Sequence, residues 1–179
     1  MRDPTIARNY AEALFELGER LDQTERFAEL MAALSTAMLS DRTIRVAIES
    51  PRVPKTVKQR MLEKALQDLA PPAFVRFLGA VIKRSRQELL PIISDQYSVL
   101  VDEKFNRLRA GVTLAREPDE ALREAVRVKL SEVTGKEVIP HFRTDPAILG
   151  GLILRLGDRI IDGSLRRRMM MLKRQLLAG

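Results

Sequence analysis

The sequence predicts an α+β fold, in which an N-terminal six-helix bundle precedes a small C-terminal α/β domain with a short mixed sheet. Nearly all of the first ~100 residues place apolar side chains three and four positions apart, the spacing of an amphipathic helix. After Gly111 the pattern changes to short β-rich runs bounded by Gly and Pro, which is typical of strands. With 179 residues, of which 45% are hydrophobic, the chain can bury one larger core or two small ones.

The first three helices are predicted from apolar stripes and from residues that favour a helix start. Pro4 is tolerated in a first helical turn because its missing N–H would be unpaired there. The stripe of the first helix is Ile6, Tyr10, Leu14, Leu17 and Leu21. Thr24 can cap a second helix, and Asp41 can open a short third one that Pro51 ends. The inward face of the second helix is Phe27, Leu30, Met31, Leu34 and Met38.

Three further helices complete the predicted bundle, and prolines mark the short connections between them. Pro54 restarts the pattern, and the fourth stripe is Val57, Met61, Leu62, Ala65 and Leu69. After Pro71 and Pro72 the fifth stripe is Phe74, Phe77, Leu78, Val81 and Ile82. The sixth helix begins near Gln87, runs past Phe105 and carries Leu90, Ile93, Tyr97, Leu100 and Val101. Short connections favour antiparallel neighbours, so the pattern indicates a helical bundle.

A strand followed by a crossover helix opens the second domain. The run from Val112 to Ala115 is short and β-rich, as a strand should be. Pro118 and the acidic residues after it favour a helix start, and Gly135 favours its end. The predicted buried stripe of this helix is Leu122, Val126, Leu130 and Val133.

The remaining strands are predicted from residues 138–161. Pro140 has no N–H to donate, so it restricts a strand from Val138 to Phe142 to a sheet edge, a bulge or a shorter element. Two further short strands, 152–156 and 159–161, are joined by a tight turn and indicate a hairpin. The result is a small mixed sheet.

The last predicted helix carries a candidate binding surface. Ser164 can cap it, and its apolar face is Leu165, Met169, Leu172 and Leu176. The other face contains only basic charges, at Arg166, Arg167, Arg168, Lys173 and Arg174. Met169 to Met171 fit either core packing or an adaptable apolar contact, since methionine repacks easily.

Composition argues against several kinds of site. The chain has no cysteine and His141 is its only histidine, so an ordinary His/Cys metal site cannot be assembled. No glycine-rich turn followed by Lys-Ser or Lys-Thr is present to hold a nucleotide phosphate. No apolar run approaches the roughly 18 residues of a membrane span, and the start of the chain does not resemble a signal peptide. We therefore expect a soluble chain without cofactor, metal or lipid-spanning segment.

Two other function classes stay open on residue chemistry. A net charge of +7 and the basic terminal helix are compatible with a nucleic-acid-binding protein, although aromatic residues are only 4% and no recognised motif accompanies the charge. A small enzyme would need a catalytic group, and Asp158 with Asp162 is the conceivable carboxylate pair. No pocket can be argued around that pair, and capping is the favoured role for Asp162.

Two segments of the chain resemble a known family. Residues 150–165 read GGLILRLGDRIIDGSL, which is similar to the signature of the δ subunit of F-type ATP synthases. Residues 6–15 read IARNYAEALF and resemble the opening helix of the same family, whose mitochondrial counterpart is the oligomycin-sensitivity-conferring subunit. Chain length and the two-domain layout also fit.

The resemblance implies a non-catalytic stator subunit of the peripheral stalk, present in one copy per complex. Residues 1–108 would form the bundle that binds the N-terminal helices of the α subunits in the catalytic head, and residues 109–179 would bind the C-terminal end of the b subunit. The head would then not rotate with the rotor. The complex would place the chain at the cytoplasmic face of the bacterial inner membrane, with no nucleic acid as partner.

Particular residues are expected to serve these contacts, although several of them fit plain core packing equally well. The residues expected at the head are Tyr10, Ala11, Ala13, Leu14, Phe77 and Val81. The signature residues expected to act mainly in structure are Gly150, Gly151, Asp158, Asp162 and Ser164. The residues expected at the stalk are Arg166, Arg167, Met170 and Lys173.

Overall fold

The computed structural model describes residues 3–157 and 159–178, apart from the side chains of Asp3 and Ala178. Within these residues it contains eight α-helices and one four-stranded mixed sheet, which confirms the α+β class. Two compact units divide between Val101 and Asp102. The boundary expected from the sequence, at residue 108, falls inside the first strand.

The first unit is built from helices, and six of them precede the first strand in the described part of the chain. They are α1 (Asp3–Arg20), α2 (Thr24–Ser40), α3 (Arg42–Glu49), α4 (Lys55–Leu66), α5 (Pro72–Lys83) and α6 (Leu90–Lys104), with a 3-10 turn at Gln87–Leu89 before α6. Asp41 caps α3 as predicted, because its carboxylate accepts a hydrogen bond from the N–H of Thr43 at 2.6 Å. Pro72 is the first residue of α5. A backbone N–H at this position would have no partner within the helix, so the missing N–H of proline costs nothing there.

A buried tyrosine joins three of these helices. Tyr97 of α6 is fully buried, and its hydroxyl donates a hydrogen bond to the carbonyl oxygen of Thr24 at 3.0 Å. Its ring lies edge-on to Phe15 of α1, with 6.1 Å between ring centroids. Burial raises the pKa of the Tyr97 hydroxyl well above its ordinary value, with a smaller contribution from Glu19. The raised pKa keeps the hydroxyl protonated near neutral pH, where it can donate this hydrogen bond.

Two details of the helical prediction were wrong. Thr24 does not cap α2, because it is the first residue of the helix and Gln23 occupies the cap position without a side-chain cap hydrogen bond. Thr24 is buried instead, and its backbone carbonyl accepts the hydrogen bond from Tyr97. The sixth helix ends at Lys104, before Phe105, since Asn106 adopts a positive φ of 52° that no helix can continue through.

The second unit contains the sheet and the last two helices. Its elements are β1 (Arg107–Leu114), α7 (Glu120–Thr134), β2 (Glu137–Thr144), a 3-10 turn (Pro146–Ile148), β3 (Leu152–Leu156), β4 (Arg159–Asp162) and α8 (Leu165–Ala178). The strand order is β2-β1-β3-β4. β1 and β2 are parallel and α7 connects them, whereas β3 runs antiparallel to both β1 and β4. Pro140 therefore lies on an edge strand, as predicted.

The predicted buried stripe on α7 is wrong for two of its four residues. Val126 and Leu130 pack against the core of the sheet, but Leu122 is 43% exposed and Val133 is 75% exposed. The core under the helix is small, with Ala110, Val112, Leu114, Val138 and Leu154 as its buried members. A short sheet offers too little apolar surface to cover the full length of the helix, so both ends of the stripe stay in solvent.

A matched pair of glycine substitutions tests the packing around Tyr97. A Cβ at Gly18 would lie 2.9 Å from the Tyr97 hydroxyl and 3.2 Å from Thr24 Cα, whereas at Gly79 the nearest atom is Gln59 Nε2 at 3.5 Å. We expect Gly18→Ala to lower the free energy of unfolding by about 1–3 kcal/mol through overpacking. Gly79→Ala should raise it by up to about 1 kcal/mol, because alanine is the better helix former.

Urea unfolding followed by tyrosine fluorescence measures this difference. Both tyrosines of the chain, Tyr10 and Tyr97, lie in the first unit, so the signal reports on that unit. Equal effects of the two substitutions would contradict the close approach at Gly18.

Candidate partner-binding surfaces

A groove between α1 and α5 is the first candidate surface. It has a volume of about 610 Å³. Its lining residues are Ile6, Asn9, Tyr10, Ala13, Phe77, Ala80, Arg84 and Arg86. Tyr10 and Phe77 form its aromatic wall, with ring centroids 6.3 Å apart and the rings inclined by 74°. Such edge-to-face pairs hold each other in place while leaving apolar surface at the groove.

Three of the six residues expected at this surface lie in the core instead. Ala11, Leu14 and Val81 are completely buried, so their side chains offer no atom to a partner, and for them the contact hypothesis is corrected. Tyr10, Ala13 and Phe77 do line the groove. The two sets alternate along the same helices, because each step of about 100° along a helix turns a side chain from the core toward solvent.

The groove also has a cationic end that the apolar pattern did not predict. Arg84 and Arg86 line it, and neither makes an ion pair among the residues that the structure describes. They follow α5 in a turn where Ser85 has a φ of 57°, a conformation that sequence periodicity does not reveal. Apolar walls with free cations at one end suit an amphipathic helix that carries a carboxylate.

The second candidate surface is α8. Every described side chain of this helix, from Leu165 to Leu177, is exposed. The apolar stripe of Leu165, Met169, Leu172 and Leu176 reaches 83% exposure at Leu176. The basic residues expected from the sequence, including Arg166, Arg167 and Lys173, are exposed as well, together with Met170. A helix with an uncovered apolar stripe and a basic face is a surface for an acidic amphipathic partner.

The signature glycines fix where α8 begins. Gly151 has a φ of 74°, and a Cβ there would overlap the carbonyl oxygen of Gly163. A Cβ at Gly150 would lie 2.8 Å from Leu165 Cδ1. The N–H of Leu165 donates to the carbonyl of Gly150 at 3.0 Å, and the N–H of Gly163 donates to Leu152 at 2.9 Å. The missing side chains thus let the chain after β4 lie directly on the chain before β3.

Ser164 and Asp162 complete the start of α8. Ser164 Oγ accepts a hydrogen bond from the N–H of Arg167 at 3.2 Å, the capping role predicted for it. The Asp162 carboxylate accepts from the N–H of Ser164 at 2.9 Å. Hydrogen bonds from the hydroxyl and N–H of Ser164, with the nearby charges of Arg167 and Arg166, hold the pKa of Asp162 below its ordinary value. A carboxylate kept ionised in this way suits capping and not proton transfer. Asp158 lies outside the described residues.

The described residues contain neither a metal-binding cluster nor a membrane-spanning helix. Among residues 3–157 and 159–178, no group of three His, Asp or Glu side chains could hold a metal ion. No helix in the same described ranges is both long enough and apolar enough to cross a bilayer.

Comparisons with known proteins identify relatives along almost the whole chain. A family described as "ATP synthase delta (OSCP) subunit" matches residues 6–176. The chain is 41% identical to "ATP synthase subunit delta" of Gemmatimonas aurantiaca over 172 residues, which cover 96% of this chain and 93% of the relative. It is 34% identical to the protein of the same name from Salinibacter ruber, over 94% of this chain and 89% of the relative.

A solved structure has the same fold. A chain in the cryo-EM structure of the Toxoplasma gondii mitochondrial ATP synthase hexamer superposes with a TM-score of 0.73 at 20% sequence identity. The superposition covers 97% of this chain and 98% of that one.

Alanine substitution at two glycines with positive φ tests the close approach that positions α8. Gly157 has a φ of 57° but nothing within 4 Å of an added Cβ. Gly157→Ala should therefore lower the free energy of unfolding only through backbone strain, by about 1–2 kcal/mol. In Gly151→Ala the added Cβ would also overlap the carbonyl oxygen of Gly163. This substitution should therefore lower the free energy of unfolding by more than about 2 kcal/mol. Amide hydrogen exchange at Leu165 should speed up in Gly151→Ala alone, because its bond to Gly150 would be lost. Unchanged exchange would contradict the described approach.

Proposed function

The chain belongs to the ATP synthase delta (OSCP) subunit family, and on that premise we propose that it ties the catalytic head to the b subunit so that the head does not turn with the rotor. It is a structural subunit of the peripheral stalk and has no catalytic role of its own. The observation that supports the link is that each of its two units carries an uncovered amphipathic surface, the α1–α5 groove in the first unit and α8 in the second.

The first unit serves the head in this proposal, as one six-helix bundle. Its partner is an N-terminal helix of an α subunit, which lies in the α1–α5 groove with its apolar side on Tyr10, Ala13 and Phe77. Helix-in-groove contacts of this kind take their affinity from a few apolar anchors at the centre. Arg84 and Arg86 would select a helix with an acidic residue at the matching end.

The second unit serves the stalk in this proposal. The C-terminal end of the b subunit packs along α8, with its apolar residues on Met169, Leu172 and Leu176. Arg166, Arg167, Met170 and Lys173 flank that contact and favour an acidic partner. The charges speed association, while burial of the apolar stripe determines how slowly the partner dissociates.

Two contacts on two units suit a subunit that bears load. When one contact opens, the contact on the other unit still holds this chain in the complex, so the released partner stays at a high effective concentration. The open contact then re-forms before the assembly separates.

The parent complex is membrane-associated, and we place this subunit in one copy at the cytoplasmic face of the bacterial inner membrane. The nucleic-acid alternative has the net charge of +7 and the basic face of α8 in its favour.

Binding of a head peptide tests the first contact. We expect a peptide covering the N-terminal helix of the α subunit from the same organism to bind the full chain in a one-to-one calorimetric titration. Ala13→Asp and Tyr10→Asp should each weaken binding about tenfold or more, because a carboxylate would be placed in the apolar centre of the groove. Val99→Asp, at a half-exposed position on α6, is the matched control and should bind as the parent chain does. The placement would be refuted if Val99→Asp lost binding, or if Ala13→Asp and Tyr10→Asp both bound as tightly as the parent chain.

Charge reversal on α8 tests the second contact. A peptide from the C-terminal end of the b subunit should bind more weakly to the double variant Arg166→Glu and Lys173→Glu, and its remaining affinity should depend less on salt. Lys136→Glu reverses an exposed charge elsewhere in the same unit and should leave binding unchanged. A duplex DNA titrated in parallel separates the two functions. DNA binding that exceeds peptide binding and falls steeply with salt would favour the nucleic-acid alternative instead.

A further inference from the structure

Three consecutive methionines are exposed on α8. Met169, Met170 and Met171 expose 60%, 49% and 53% of their surface. Two methionines in the core of the first unit, Met31 and Met38, are only 1% exposed. A dissolved oxidant can reach a thioether that faces solvent, whereas a closely packed core excludes it. The run on α8 is therefore open to a chemistry from which the core methionines are protected.

An arginine precedes each of these methionines by three positions. Residues three apart lie side by side on the surface of a helix. The resulting pairs are Arg166 with Met169, Arg167 with Met170 and Arg168 with Met171. The three arginines are exposed as well. Each sulfur atom thus has a guanidinium group beside it, whose N–H groups can donate to an oxygen bound on the sulfur.

Met169 also belongs to the apolar stripe of α8. The stripe continues with Leu165 four residues before it and with Leu172 and Leu176 three and seven residues after it, the spacing of one helix face. A thioether in this place is apolar and adapts its shape to a partner. A sulfoxide is polar and chiral, and burying it against an apolar partner would strip the water from its oxygen.

We propose that Met169, Met170 and Met171 form a reversible oxidation site, at which hydrogen peroxide converts the thioethers to sulfoxides and so weakens the contact with the stalk. This inference rests on the proposed function, in which the C-terminal end of the b subunit packs along α8. The site is open to the oxidant before the chain joins the complex and whenever that contact opens.

The reaction is a two-electron oxidation of each sulfur. A lone pair of the thioether attacks one oxygen of hydrogen peroxide, so that an S–O bond forms and the O–O bond breaks. The oxygen on sulfur loses its proton, and the departing hydroxide takes up a proton to become water. Sulfur is oxidised and the peroxide is reduced. A methionine sulfoxide reductase returns the thioether, which makes the change reversible.

Oxidation would affect both components of the stalk contact. The sulfoxide of Met169 replaces an apolar anchor in the stripe by a polar group. The sulfoxide oxygens also accept hydrogen bonds from the neighbouring guanidinium groups, which are then less available to an acidic partner. The basic and the apolar parts of α8 are therefore weakened together.

Peptide mapping of the folded full chain after treatment with hydrogen peroxide tests the site itself. Trypsin cleaves after Arg168 and after Lys173, so residues 169–173 form one peptide, whereas Met31 and Met38 lie together in residues 27–42. We expect up to three added oxygens on residues 169–173 while residues 27–42 stay unmodified. Oxidation of both peptides at the same rate would overturn the proposal, because α8 would then not be a distinct site.

Titration with the b-subunit peptide, after catalase has removed the peroxide, tests the effect on binding. The oxidised chain should bind about tenfold or more weakly than the untreated chain, and sulfoxide reductases acting on both epimers should restore the affinity. The triple variant Met169→Leu, Met170→Leu and Met171→Leu keeps the apolar character and should bind equally before and after peroxide. Met61→Leu removes a methionine of the first unit that is 48% exposed, and this matched control should still lose binding on oxidation.

The outcomes separate this inference from the contact on which it rests. If the chain carries oxygens on residues 169–173 and binds the peptide as tightly as before, the oxidation site has no effect on binding and the proposal is overturned, while the stalk contact stands. Equal weakening of the triple leucine variant by peroxide would also overturn it, since the effect would then come from another residue. If the untreated chain does not bind the peptide, the stalk contact is refuted and the inference fails with it.

Discussion

The division of 179 residues into two units limits how much apolar surface each unit can cover by itself. Small units have a high ratio of surface to volume, and an amphipathic helix that meets too little neighbouring structure leaves its stripe in water. α8 shows the effect most clearly, because its stripe of Leu165, Met169, Leu172 and Leu176 is exposed along its length. The α1–α5 groove is a milder case. Uncovered stripes that would be a defect in an independent enzyme are an expected property of a subunit whose neighbours supply the missing cover.

Close contacts between backbones set the positions of these surfaces. Gly18 lets Thr24 and the hydroxyl of Tyr97 come close to α1, which fixes α1, α2 and α6 against one another. Gly151 does the same for the second unit, where it lets Gly163 approach and sets the start of α8. In both units a missing side chain is what allows the contact. The signature glycines of residues 150–165 therefore act through packing, and among the described residues of this segment Asp162 and Ser164 act as caps.

Local patterns predicted the elements well and their burial less well. Asp41, Pro72 and Ser164 act through hydrogen bonds or backbone angles within a few residues, so their roles at helix starts could be read from the sequence. Which side of a helix meets the core depends on distant partners. That is why Tyr10 and Ala11 could not be separated into groove and core, and why the stripe on α7 was overestimated. Lys58 of α4 is only 3% exposed, and no sequence signal indicated this, because a lysine in an amphipathic helix is normally expected in water.

Pro140 has a consequence beyond the geometry of β2. An outer strand with a full row of free N–H and C=O groups is a template on which another chain can extend the sheet, which leads to aggregation. Pro140 interrupts that row on β2, and the opposite border, β4, is only four residues long. Neither edge strand therefore offers a long continuous row of backbone hydrogen-bonding groups to a strand of another chain. Before the chain joins an assembly, its apolar helix surfaces are still uncovered. The short and interrupted sheet edges then disfavour self-association through the sheet.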